Sequence, residues 1–388
     1  MIEWLFFLLP VAAASGWWAA KRSAERDAKA CGPDPAYFHG LNYLLDEQPD
    51  KAIELFLQLA DDRETAEIQL ALGGLFRRRG EVDRAIRIHQ GLTARSRLAP
   101  SLRTLALYEL GQDYLQAGLL DRAETLFQEL IALNAHRRRA LEGLLTIYQQ
   151  EREWEQCMAV ARQLQERTGK SMGAEIAHYH CELAEAAWRR GDEAAGEKAL
   201  TAAQSSDASC TRAVLLQARW DLEKGRTQAA LDRLRRGGVK ALAFLGEILP
   251  ELSACYVGRP AEEWVAALRK LDDGSGNTAL VLHLSEALNA AEGPQAAADL
   301  LKDYLHRYAD LAASEQLLRL IEAHRQEPQL RQYLATLAQA IGDLQARQPA
   351  YRCEHCGFQG HQLHWQCPSC RHWGSIQPLS PPKMDASA

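Results

Sequence analysis

Hydrophobic and polar positions fall into three regimes along this chain. Residues 2–20 are almost continuously apolar, broken only by Glu3, Pro10, Ser15 and Gly16, and are closed by Lys21, Arg22 and Arg26. At 1.5 Å per residue such a run gives roughly 28 Å, enough for a hydrocarbon core of about 30 Å. The pattern predicts a transmembrane anchor over 1–20 and a juxtamembrane linker over 21–35. Trp4, Trp17 and Trp18 sit near the ends of the run, and every nearby basic residue follows it. The positive-inside bias then places the remainder in the cytoplasm. A cleaved signal peptide fits less well, because Glu3 stands where such a peptide carries its positive charge.

After the linker, apolar residues recur at helical spacing, in segments rich in Ala, Leu, Glu, Arg and Gln with few β-branched runs. Two stretches align in register: Leu72-Gly73, Phe76, Gly80 and Ala85 with Leu110-Gly111, Tyr114, Gly118 and Ala123, the second continuing to Phe127. Small, aromatic, turn and small positions coincide, which is the tetratricopeptide pattern of a helix-turn-helix unit. Weaker copies begin at Gly40 with Tyr43, Ala52 and Phe56; at Leu145 with Tyr148 and Cys157; at Ala184 with Gly191 and Gly196; and at Ala218 with Gly225 and Ala230. A period near about 34 residues thus predicts an all-α superhelix over 36–240. Degenerate repeats and capping helices are expected over 241–348, ending at Gln348-Pro349, with Asp272-Asp273-Gly274-Ser275-Gly276 as an internal loop.

The third regime is a short cysteine-bearing end. Cys353 and Cys356 form one CxxC pair, Cys367 and Cys370 a second, with ten residues between the pairs. Four thiolates at this spacing can surround one soft ion tetrahedrally, in turns whose backbone N–H groups point at the sulfurs. The set is closed, with no position for substrate, and reads as one structural metal ion, zinc ahead of rubredoxin-like iron. A module this small, over 349–378, cannot bury enough surface to fold without its metal. Phe358, Trp365 and Trp373 are expected to pack around the ion, and residues 379–388 to form a disordered tail.

Composition adds limits rather than chemistry. The chain has 388 residues, 25% of them charged, and a net charge of −6, which gives no global basic excess for nucleic-acid binding. Nine cysteines, an odd number, suit a reducing compartment. Cys157, Cys181, Cys210 and Cys255 read as small buried packing residues, and His178 and His180 as core or surface histidines. No Ser-His-Asp arrangement with motif support, phosphate loop or HExxH appears, so an enzyme is not expected. Partner binding is the default role of a repeat superhelix, and Arg77, Arg78, Gln112, Gln116 and Arg139 fall at positions that face its concave side. His324, at helical spacing from Leu317, Leu320 and Ile321, is expected to face the packing between the last repeats and the metal module.

An apolar span, a repeat array and a CxxC-x10-CxxC end together resemble the lipopolysaccharide assembly protein B family of Gram-negative bacteria. The most specific part is Tyr351-Arg352-Cys353-Glu354-His355-Cys356-Gly357-Phe358 with Trp365-Gln366-Cys367-Pro368-Ser369-Cys370-Arg371, similar to that family's rubredoxin-type module. Arg371 departs from rubredoxin, where a knuckle glycine is usual. The resemblance implies an inner-membrane adaptor that presents the lipid A pathway deacetylase to the membrane AAA+ protease FtsH. It also implies contact with a membrane-embedded regulator or lipopolysaccharide transport proteins, and leaves room for a homodimer. The alternative is a scaffold that gathers lipopolysaccharide synthesis and export proteins without delivering any for degradation.

Overall fold

The computed structural model describes residues 17–18, 39–40, 42–43, 48–62, 66–240, 242–272 and 274–384. Apart from Trp17 and Trp18, the anchor expected over 1–20 and the linker over 21–35 lie outside them. Among the described residues no helix is long and apolar enough to cross a membrane.

The chain divides into two compact units, residues 1–151 and 152–388. In the first, six helices are described: α1 (Pro49–Asp62), α2 (Ala66–Arg78), α3 (Val82–Thr93), α4 (Pro100–Gln116), α5 (Leu120–Ala132) and α6 (Arg137–Glu151). Consecutive helices pack on one another, and two of the turns between them are closed at Gly80 and Gly118 with φ of 86° and 76°. The small position of one helix receives the large side chain of the next. Phe127, fully buried, lies between Gly111 and Gly143, where an added Cβ would approach its ring to 2.7 and 2.6 Å. In the preceding repeat the same slot is filled by His89, against Gly73.

The second unit continues with α7 (Trp154–Thr168), α8 (Gly173–Arg189), α9 (Glu193–Ser206), α10 (Thr211–Glu223) and α11 (Thr227–Lys240). Trp188 and Trp220 stack across α8 and α10 with centroids 4.1 Å apart. A 3-10 turn (Leu242–Phe244) and two short helices follow, α12 (Leu245–Ala254) and α13 (Ala261–Arg269). The repeat pattern fades here because Pro250 stands inside α12 and removes a helix hydrogen bond. Then come α14 (Thr278–Ala291), α15 (Pro294–Leu305), α16 (Leu311–Ala323) and α17 (Pro328–Arg347). The core of this part gathers Leu231, Leu249, Leu252, Leu284 and Leu288, with Trp365 from the metal module packed against it.

The module itself is a three-stranded antiparallel sheet, β1 (Tyr351–Cys353), β2 (Gln359–Gly360) and β3 (Ile376–Pro378), in the order β2-β1-β3. Its register pairs Tyr351 with Gly360 and Cys353 with Ile376. Of the tail expected to be disordered over 379–388, residues 379–384 make backbone hydrogen bonds, and 385–388 lie outside the described residues. Leu379 N–H donates to Ala350 O at 2.8 Å, Ala309 N–H to Pro382 O at 3.0 Å and Met384 N–H to Arg307 O at 2.9 Å. Residues 379–384 therefore form a strap across the corner between α15 and α16, which supplies backbone partners that composition does not reveal.

Candidate metal centre

Both knuckles are built from the same local rule. After Cys353 the chain turns so that Gly357 N–H donates to Cys353 O at 2.9 Å, and after Cys367 it turns so that Arg371 N–H donates to Cys367 O at 2.8 Å. Gly357 closes the first turn at φ 78° and Arg371 the second at φ 59°. Arg371 thus adopts the left-handed conformation that glycine takes without steric cost.

These turns bring four sulfurs together. Cys353 Sγ lies 3.7 Å from Cys370 Sγ, Cys356 Sγ lies 3.7 Å from Cys367 Sγ, and all four fall within 4.8 Å of one another. A tetrahedral ion with metal–sulfur bonds of about 2.3 Å has sulfur–sulfur edges of about 3.8 Å. The four residues fit one such ion, which would supply a cross-link between the two knuckles. Donors converge on the sulfurs: the His355 and Cys356 amides on Cys353, the Phe358 amide on Cys356 and the His372 amide on Cys370. Ser375 Oγ stands 3.3 Å from Cys353 Sγ. Burial pushes the Cys353 thiol up, but Ser375 and the two amides outweigh it and bring it to about 6, while burial and the neighbouring sulfurs push Cys370 up, so without an ion the four sulfurs do not carry their charge evenly.

Phe358 packs with Cys353, Cys367 and Ile376, as expected. Trp365 and Trp373 instead face the helices. Trp373 stacks on His178 of α8 at 5.2 Å and meets Tyr179 edge-on at 5.7 Å and Trp154 of α7 at 6.0 Å. Trp365 lies 5.8 Å from both His178 and Phe244. Arg212 donates through Nη2 to Glu182 and Glu185 at 2.7 and 2.8 Å and sets its guanidinium 6.0 Å from the Trp373 ring. On the other side, Tyr351 Oη donates to Glu247 Oε1 at 2.5 Å.

The seat is therefore on α7, α8 and the start of α12, which corrects the expectation of docking through His324. That side chain is exposed and donates from Nδ1 to Leu320 O, 2.8 Å away in its own helix end. The chain folds back past α16 and α17 to a surface much earlier in sequence, and spacing along one helix cannot show that return. His178, Trp154, Tyr179, Arg212 and Glu247 were the residues to find. His178 and Tyr179 lie in an aromatic and histidine run beside Cys181, whereas Trp154, Arg212 and Glu247 carry no such local signal.

The five groove candidates lie apart in role. Arg77 is half-buried and paired internally, with Asp113 at 2.8 Å and with Glu109. Asp113, itself fully buried, is 2.5 Å from His89 Nδ1. Gln116 Nε2 donates to Arg77 O at 3.4 Å, so these two meet. Arg78 is exposed and Gln112 half-buried, while exposed Arg139 lies over the Tyr108 ring at 5.7 Å. Arg77 is thus held within the repeat stack rather than offered free to a ligand. The aligned spacing Gly73–His89 and Gly111–Phe127 was the signal that a polar side chain occupied a core slot.

Helical hairpins of this kind, carrying two knuckles that converge on one four-thiolate site, define a tetratricopeptide-repeat protein with a rubredoxin-type module. Residues 351–378 match the family model described as a rubredoxin metal binding domain. Over 386 residues the chain is 36% identical to lipopolysaccharide assembly protein B of Escherichia coli (strain K12), covering 98% of each. It is 33% identical over 394 residues to the protein of that name from Haemophilus influenzae, covering 98% of this chain and 99% of the other. The chain belongs to the lipopolysaccharide assembly protein B family. Among solved structures, a tetratricopeptide repeat protein from Parabacteroides merdae is similar with a TM-score of 0.35 and 13% identity, over 74% of this chain and 100% of that one.

Proposed function

We propose that the chain is an inner-membrane adaptor that limits lipopolysaccharide synthesis by presenting the lipid A pathway deacetylase to the protease FtsH. The observation that carries this reading is family membership over nearly the whole length, at 36% identity to a protein named for lipopolysaccharide assembly. Two further features support it. The four-cysteine site is closed, as suits a structural zinc ion, and stacked hairpins expose long surfaces suited to proteins.

In this mechanism the adaptor breaks no bond. The span over 1–20 holds the chain at the membrane beside the protease, the repeats receive the deacetylase, and Cys353, Cys356, Cys367 and Cys370 keep the module folded on its seat. Holding client and protease on one scaffold turns a weak encounter into one at an effective concentration of up to about millimolar.

The test is the decay of the deacetylase after protein synthesis is blocked, in cells with the intact chain, without it, and with Cys367→Ser. Slower decay in both altered strains is the expected result. Unchanged decay in all three would overturn delivery to proteolysis and favour a scaffold for lipopolysaccharide synthesis and export proteins.

A further inference from the structure

Two exposed imidazoles stand beside the four-sulfur site, and neither is one of its four ligands. His355 lies inside the first knuckle and His372 just after the second, and the turns bring their rings to a centroid distance of 3.5 Å with planes 20° apart. Both side chains are exposed. A ring nitrogen of each, together with Cys370 Sγ, falls within 4.8 Å of the others.

The orientation of His372 is a second, independent sign. Its Nδ1 stands 3.1 Å from Cys370 O. A carbonyl can only accept, so Nδ1 is the donor, and Nε2 is the nitrogen left to face a ligand. This is the arrangement in which a ligating histidine is fixed by the hydrogen bond its other nitrogen makes.

We propose that His355, His372 and Cys370 form a second metal site for a divalent zinc-class cation, with the Cys370 thiolate shared between it and the four-cysteine site. Imidazole and thiolate together select zinc and similar borderline ions over magnesium or calcium. Bonds of about 2.0 to 2.3 Å place tetrahedral ligand atoms about 3.3 to 3.8 Å apart. Closing from the observed spread requires the exposed His355 ring to swing out of its stack by about an ångström or more, while His372 keeps its hydrogen bond to Cys370 O. A thiolate bound to one ion retains lone pairs for another. Four thiolates around one divalent ion also leave a net charge of −2, which draws a second cation to that side.

Three protein ligands leave the fourth position to water, so this site exchanges where the four-cysteine site is closed. It fills only after the tighter site is occupied, and would make the module's surface responsive to free zinc. The inference does not depend on the proteolysis reading.

The experiment is zinc titration of the full chain with bound metal counted by atomic spectroscopy after equilibrium dialysis. Two ions per chain are expected, falling to one in His355→Ala and in His372→Ala. Tryptophan emission, through Trp365 and Trp373, reports that the module stays seated in each variant. His355→Gln, which keeps bulk and polarity, controls for a folding defect and is also expected to bind one ion. A single ion in the unaltered chain overturns the proposal, and so does a second ion that survives loss of either imidazole.

Discussion

Arg371 holds a left-handed backbone that a side chain disfavours, in a turn whose twin is closed by Gly357. Arg371→Gly is therefore expected to stabilise the second knuckle by about 0.5 to 1 kcal/mol, after allowance for glycine's greater freedom in the unfolded chain. Slower loss of metal to a chelator is the readout, and an unchanged rate would show the conformation to be unstrained. His89 is the converse case, a polar side chain where its neighbour repeat uses Phe127. His89→Phe fills the slot but leaves buried Asp113 with Arg77 alone, and is expected to cost about 2 to 3 kcal/mol in denaturant unfolding. Adding Asp113→Asn should recover part of that loss, since a neutral amide is cheaper to leave underpartnered. The slot itself was legible from aligned spacing. Its partner was not, because Asp113 comes from a helix of the next repeat.

Among the elements, α8 has the double duty of packing in the array and seating the metal module. His178 is held neutral there, its pKa lowered to about 4 by burial and by the nearby Arg212 charge, against a weaker opposite pull from Asp207. An unfolded or undocked His178 titrates near 6.5, so that state binds more protons between pH 6.5 and 4. Docked stability is thus full above about 6.5, falls as pH drops through this window, and flattens below about 4. The loss is on the order of 3 kcal/mol. Hydrogen exchange of α8 against pH measures it, and His178→Phe is expected to flatten the slope while metal loss, common to both proteins, cancels. An equal slope in the variant would assign the acid sensitivity elsewhere. Helices and turns could be read from periodicity because they are local. The seat could not, since contacts such as Tyr351 with Glu247 join positions 104 residues apart.

For the molecule as a whole, the two kinds of architecture depend on different forces. The helical array is held by apolar burial in each unit, whereas the module's sheet has strands of only two or three residues and rests on its cross-link. Chelation, or Cys367→Ser, is expected to leave helical circular dichroism almost unchanged while tryptophan emission shifts red and protease cuts open within 348–378. Emission that does not move would show the module to be self-supporting. The four ligands were legible because their spacing is itself the chemistry of Cys353, Cys356, Cys367 and Cys370. The strap over 379–384 was hidden, because Leu379 to Met384 carry no strand pattern and borrow their order from Ala350 and Arg307–Ala309. That strap has a mechanical meaning. Tension applied beyond Met384 is borne first by the hydrogen bonds at the α15–α16 corner, and reaches β3 and the knuckles only after those have parted. The metal cluster is thereby placed in the lee of a sacrificial clasp, shielded from a pull on the end of the chain.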